Sequence, residues 1–170
     1  MFKVSFKENP NFPVKKVQRF SDDRITVVTL KDVVKLPLFL QYFIPPKIYD
    51  WIDTLKNIDV EITMSRMFIT TKGKSVCSKE DKVYKVLGER IAEARAKATL
   101  YKFMCKFCYR ILKYFRNELY GINVGVCFGS YGDDSVAKAV KKYEKLYNNE
   151  VKHHNTLLGY ESDTESSQEH

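Results

Sequence analysis

Glycine is scarce in this 170-residue chain, at seven, and proline scarcer still, at five. So few breakers exclude a linker-rich or low-complexity protein, whose composition prevents it from packing a core. No apolar run approaches the roughly eighteen residues of a membrane-spanning helix. The first residues alternate Phe2, Val4 and Phe6 with Lys3, Ser5 and Lys7, and so carry no signal-peptide core. A soluble, intracellular protein with no membrane association is expected. The cysteines are four, Cys77, Cys105, Cys108 and Cys127. In a chain of this size without a secretory leader they read as reduced thiols, not a disulfide framework. Missing too is any Ser-His-Asp, His-Glu-x-x-His or Asp-x-Asp metal constellation, so no enzymatic activity, cofactor or metal is expected.

What is present is core material and positive charge. Hydrophobic residues make up 44% and aromatics 14%, with eleven Tyr and eleven Phe. That suffices for one domain, expected over residues 1–152 and followed by a polar, acidic, flexible tail over 153–170. The last ten residues hold Glu161, Asp163, Glu165 and Glu169 without Lys or Arg. The net charge of +8 suits an anionic partner, although charge of this size also serves solubility.

One stretch organises the rest. From Ser78 to Leu119 the chain has no proline and one glycine, Gly88. Apolar residues fall at Tyr84, Leu87, Ile91, Ala94, Ala98, Tyr101, Cys105, Cys108, Leu112, Phe115 and Leu119. Their steps of three and four keep them on one seam of a long helix. Ser78 is its expected N-cap with Asp81 in a near capping-box position, and Gly121 its expected terminator. After Lys97 the apolar surface widens through Leu100, Phe103, Met104, Phe107 and Ile111. Such breadth needs the sheet and the final helix to wrap it, or a second subunit.

Around this helix the alternation of Phe2–Phe6, Arg24–Leu30, Ile58–Met64 and Ile122–Phe128 predicts strands, and Met67–Thr71 continues the extended pattern. Lys15–Phe20 fits neither period. Val33–Phe43 is apolar but broken by Pro37, which predicts an edge strand or packed loop. Turns are expected at Glu8–Pro13 and at Lys72-Gly73-Lys74, and a hairpin at Ser65-Arg66 or one long bent strand. Pro46 opens a short helix to about Asn57 that buries Ile48, Trp51, Ile52 and Leu55. A last helix is predicted over Ser135–Asn148, after a loop at Gly129–Asp134.

Cys105-x-x-Cys108, with Cys77 and Cys127, has the ligand types of a zinc site. Yet the pair falls on the helical seam, where small buried hydrophobes account for it. His153-His154 reads as surface histidine. Gly129-Ser130-Tyr131-Gly132 has no lysine where a phosphate-binding loop needs one, and Asp133-Asp134 would repel phosphate. The cations of the long helix are more informative. Arg95, Lys102, Lys106, Arg110, Lys113 and Arg116 fall within an arc of about 120° at 100° per residue, a quarter turn from the seam. Such a stripe can track a phosphate backbone, with Tyr109 and Tyr114 near enough to stack on bases, or can be a solvated face.

Lys72-Gly73-Lys74-Ser75-Val76-Cys77-Ser78-Lys79-Glu80-Asp81-Lys82-Val83-Tyr84, followed by Gly88-Glu89-Arg90-Ile91-Ala92-Glu93-Ala94-Arg95-Ala96, resembles small uncharacterised proteins of tailed bacteriophages and mobile elements. The shared pattern is a strand, a cysteine, an acidic turn, an aromatic and a glycine-bearing helix with small residues and arginine. Val83-Tyr84-Lys85 departs from it where an aromatic usually precedes an acidic residue. The resemblance implies a phage setting, host cytoplasm or virion, and no catalytic residue. Gly88 and Ala92 are expected to let the preceding strand pack closely on the helix. The fold expected is α+β, an antiparallel sheet against one long central helix with two shorter helices. The function expected is nucleic-acid binding through the basic stripe; the alternative is a virion or interaction component that forms a homo-oligomer, or binds another phage protein, through the wide apolar face.

Overall fold

A computed structural model describes residues 7–8, 13–78, 82, 84–114, 116–117 and 125–159. Its strands are β1 (Lys7–Glu8), β2 (Val14–Phe20), β3 (Ile25–Lys35), β4 (Ile58–Ile62) and β5 (Arg66–Val76). Its helices are α1 (Leu38–Tyr42), α2 (Pro46–Asp53), α3 (Lys85–Tyr114) and α4 (Gly125–Leu157). The protein is α+β, as expected, with an antiparallel sheet against the long helix α3, but the last helix, expected to be one of two shorter ones, is a second long helix.

The sheet runs β1-β3-β5-β4, with β2 also paired to β3. β5 takes up one side of β3 along its whole length, from Ile25↔Val76 to Lys35↔Arg66, so β1 and β2 share the other side. The β-branched run of Ile25, Thr26, Val27, Val28 and Thr29 suits this central position. Pro37 does not make the region an edge, as the sequence suggested. It ends β3 after Lys35 and precedes α1, where a missing donor is tolerated. β4 and β5 form a hairpin, closed by the Thr63 N–H donating to the Arg66 carbonyl at 2.8 Å, which resolves the choice left open at Ser65-Arg66.

Three other expectations are corrected. Lys72-Gly73-Lys74 is no turn but the middle of β5, which pairs with Val27, Val28 and Thr29. The long helix begins at Lys85, leaving Ser78 outside it. Gly125–Asp134, expected as the end of a strand and a loop, forms the first turns of α4, which also continues past Asn148 through His153 and His154. Gly159, at φ +76°, follows that helix. The predicted strand at Phe2–Phe6, the terminator Gly121 and the acidic residues after Gly159 lie outside the described residues. The helix opening at Pro46 forms as predicted but ends at Asp53.

Alternation on β5 sends Met67, Ile69, Thr71, Gly73 and Ser75 toward α3, with Val28, Leu30 and Val34 beside them on β3. At Gly73 strand and helix meet most closely: a Cβ there would lie 1.9 Å from the Ala92 carbonyl oxygen. Ala92 and Ala96 pack on Val28 and Leu30. Two hydroxyls from β5 fasten the layers, Thr71 donating to the Ala96 carbonyl at 3.1 Å and Ser75 to the Gly88 carbonyl at 2.6 Å. Further along α3, Leu100, Phe103, Met104, Phe107 and Ile111 are buried in a cluster with Val34, Met67, Ile69, Val136 and Tyr143. The wide apolar surface after Lys97 is therefore covered within the chain, by the sheet with α1 and α2 on one side and by α4 on the other.

Candidate nucleic-acid interface

The three layers fix which sides of α3 remain open. At 100° per residue, Ala92, Ala96, Leu100, Phe103 and Phe107, which meet the sheet and α2, centre about 100° to one side of Arg95. Ala94, Cys105, Cys108 and Leu112 centre about 100° to the other side, where α4 packs. The cationic arc lies between, as a lateral strip framed by both layers. Lys102, Lys106, Arg110, Lys113 and Arg116 are all exposed there, and so is Tyr109, at 58%.

Each stripe residue has its own setting. The Arg95 guanidinium donates to the Lys74 carbonyl at 2.6 Å and to Nε2 of His154 at 3.0 Å, tying α3 to β5 and α4. This arginine is exposed yet held in place. Lys102 lies 5.9 Å over the ring of Tyr147. Arg110 lies 4.7 Å over Trp51, which stacks on Phe103 with centroids 5.5 Å apart. A cation over an aromatic face keeps its charge and its outward donors while losing side-chain freedom. Lys106 and Lys113 carry their charge into solvent, and among the described residues neither meets a carboxylate. Tyr114 packs against Phe43, centroids 6.0 Å apart, and is thus less open to bases than Tyr109.

The acidic residues of α3 sit elsewhere. Glu89 is bonded by Lys15 at 2.9 Å and Arg19 at 2.7 Å, and Glu93 by Lys15 at 2.9 Å and Lys97 at 2.8 Å. Helical spacing brings Lys97 to Glu93, four positions away, and β2 supplies the other partners. Burial alone would raise the Glu93 carboxyl, but the hydrogen bonds from Lys97 and Lys15 outweigh it and hold the group below its ordinary 4.5. Its hydrogen bonds to Glu89 and Glu93 hold Lys15 above 10.5. A carboxyl depressed by folding contributes stability above its unfolded value and loses it as pH falls through the lower folded one. Thermal melts on acidification below pH 4.5 should therefore show stability falling more steeply for the native chain than for Glu93→Gln, which starts less stable near neutrality.

The cysteine pair behaves as core. Cys108 is fully buried, and burial pushes its thiol far up. Cys105 is half-buried, its thiol 3.9 Å from the Val140 carbonyl and raised by burial and then by Glu144. Thiols shifted upward are poor ligands and nucleophiles. Cys77 lies near the start of α3, and Cys105 is twenty residues, or roughly 30 Å, along the helix from that start at Lys85, so the two cannot share a site. The side chain of Cys127 is outside the described residues. Among the described residues no three His, Cys, Asp or Glu side chains group where a metal ion would sit, and no helix is long and apolar enough to cross a membrane.

No protein family, no curated protein and no solved structure matches this chain.

Proposed function

We propose that this protein binds nucleic acid without enzymatic activity, as a phage accessory component in the host cytoplasm or the virion. The phosphate backbone runs along the lateral strip of α3. The observation that carries this reading is the separation of charge on that helix. Glu89 and Glu93 are neutralised on the β2 side, while Lys102, Lys106, Arg110 and Lys113 stand on the open side away from them. Charges that served solubility alone gain nothing from such sorting; a polyanion partner does. From Arg95 to Arg116 the strip is about 31 Å long at 1.5 Å per residue, enough for several consecutive phosphates. Tyr109 on the same strip adds a ring on which an unpaired base can stack. Oligomerisation through the Leu100–Ile111 face is the weaker reading, because that face is occupied within the chain.

Lys106→Glu combined with Lys113→Glu is the appropriate test, since both side chains are exposed and support nothing else, whereas Arg110 also covers Trp51. The double reversal should weaken binding to DNA or RNA oligonucleotides by about 10- to 100-fold and flatten the salt dependence by one to two units of log–log slope. Unchanged affinity, or a native protein that binds no oligonucleotide at low salt, overturns the proposal.

A further inference from the structure

β5 is longer than the strand beside it. Pairing with β4 ends at Ile58↔Thr71, so past Thr71 no described strand covers that side of β5. Along β5 the even-numbered residues direct their backbone groups away from β3: Leu36 bonds to Ser65 and Cys77 to Arg24, which assigns the odd positions to β3. The Lys74 carbonyl thus points into the open edge, and there Arg95 takes it. The helix strip and the exposed edge of the sheet meet at this hydrogen bond.

Around that edge the charge continues. The sheet face turned away from α3 carries Lys72 and Lys74 on β5, Lys31 on β3 and Lys16 on β2, all exposed. The register sets Lys16, Thr29 and Lys72 in one row across three strands, and Gln18, Val27 and Lys74 in the next. On this face the acids of the described strands, Asp59 and Glu61, stand on β4 beside β5, opposite Thr70 and Phe68, and β4 ends before it reaches Lys74. Phe68 and Phe20 are exposed on the same face, at 37% and 50%. None of Lys16, Lys31, Lys72 and Lys74 meets a carboxylate among the described residues.

We infer that the bound nucleic acid is single-stranded, and that it leaves the α3 strip at Arg95, turns over the free edge of β5 and continues across Lys74, Lys72 and the outer sheet face. The inference rests on the reading above and adds the path and the strandedness. The strip and the outer sheet face point about 100° apart, as the positions of α3 facing the sheet require. A duplex, with a persistence length of about 50 nm, does not turn that sharply over one strand edge without several kcal/mol of deformation. A single strand turns freely, and its unstacked bases can lie on Phe68 and Phe20 while lysines hold the phosphates. A duplex would touch the helix strip alone.

The full-length chain carrying Lys72→Glu and Lys74→Glu separates these cases. Affinity for a thirty-nucleotide oligo-dT should fall by about 10-fold and its salt slope should flatten by about 1.4 units, at roughly 0.7 for each of two lost phosphate contacts. Affinity for a duplex of the same length should stay within about twofold of the native value. Lys141→Glu with Lys145→Glu, on the α4 side away from α3, is the charge-matched control and should leave the single-strand affinity nearly unchanged. Should the double reversal fold poorly, Lys72→Gln with Lys74→Gln should give about half the logarithmic loss. If oligo-dT loses no more affinity than in the control, or if the duplex loses as much as oligo-dT, the path over β5 is wrong while binding along α3 stands. If Lys106→Glu with Lys113→Glu has no effect either, the reading on which it rests is also wrong.

Discussion

Gly73→Ala should unfold or nearly unfold this protein. The added Cβ would lie 1.9 Å from the Ala92 carbonyl oxygen, 2.6 Å from the Ala96 amide nitrogen and 3.0 Å from the Ala92 carbonyl carbon. All three are backbone atoms of a helix and cannot swing aside as a side chain would. Relief requires moving α3 away from β5, which opens the Ala92 and Ala96 contacts with Val28 and Leu30 and stretches the Thr71 and Ser75 bonds to the helix carbonyls. Ordinary overpacking costs about 1–3 kcal/mol, and an unyielding contact of this kind belongs above that range. The gain from a stiffer unfolded chain, about 0.4–1 kcal/mol, does not offset it. Gly88→Ala is the contrasting case. Its Cβ would meet the Ser75 hydroxyl at 3.3 Å and the Thr26 hydroxyl at 3.4 Å, both on side chains, while the helix gains about 1 kcal/mol of propensity. Denaturant midpoints should place Gly88→Ala within about 1 kcal/mol of the native protein and Gly73→Ala at least about 3 kcal/mol below it. Equal midpoints for the two variants would show that the layers are not pinned at Gly73.

The same glycine shows why parts of the fold were illegible. Lys-Gly-Lys has the composition of a turn, and only the helix lying across β5 shows that the missing side chain serves a close approach instead. β2 was obscured for a related reason. Its residues facing α3 include Lys15 and Arg19, placed there to meet Glu89 and Glu93, so both faces mix apolar and charged residues and the alternation that marks a strand is lost. The alternation of Ile122–Phe128 misled in the opposite direction: a short apolar period can sit in a helix when tertiary context favours it, and Gly125–Phe128 are helical. Where local pattern and tertiary demand agree, sequence and structure coincide. Ile58–Ile62 is a strand with Asp59 and Glu61 outward, Pro46 opens α2, and the breadth of the apolar surface after Lys97 matches a helix covered on two sides. The cationic arc was legible because it depends only on helical spacing. The continuation over Lys72 and Lys74 was not, because it depends on how far β4 extends along β5.

Phe107→Ala should cost about 3–5 kcal/mol, the range for truncating a buried aromatic. Phe107 is fully buried and lies at the centre of the cluster that joins the sheet and both long helices. It also carries one end of an aromatic ladder: its ring stands 6.0 Å from Phe103, Phe103 stacks on Trp51 at 5.5 Å, and Arg110 rests on Trp51 at 4.7 Å. Truncation therefore acts twice. It leaves a cavity that surrounding backbone only partly closes, and it frees Phe103 to move, which loosens the surface on which Arg110 is oriented. In a chain of this size the loss corresponds to a drop of roughly 10 °C or more in melting temperature. Phe107→Leu, which refills most of the volume but not the ring stack, should recover all but about 1–2 kcal/mol. Oligonucleotide affinity measured below the melting transition then separates packing from presentation. If the ladder orients Arg110, both variants should bind more weakly than native protein, with Phe107→Leu losing affinity out of proportion to its stability. If Phe107→Leu binds as the native chain does, the ladder is core packing alone and Arg110 takes its orientation from its own helix.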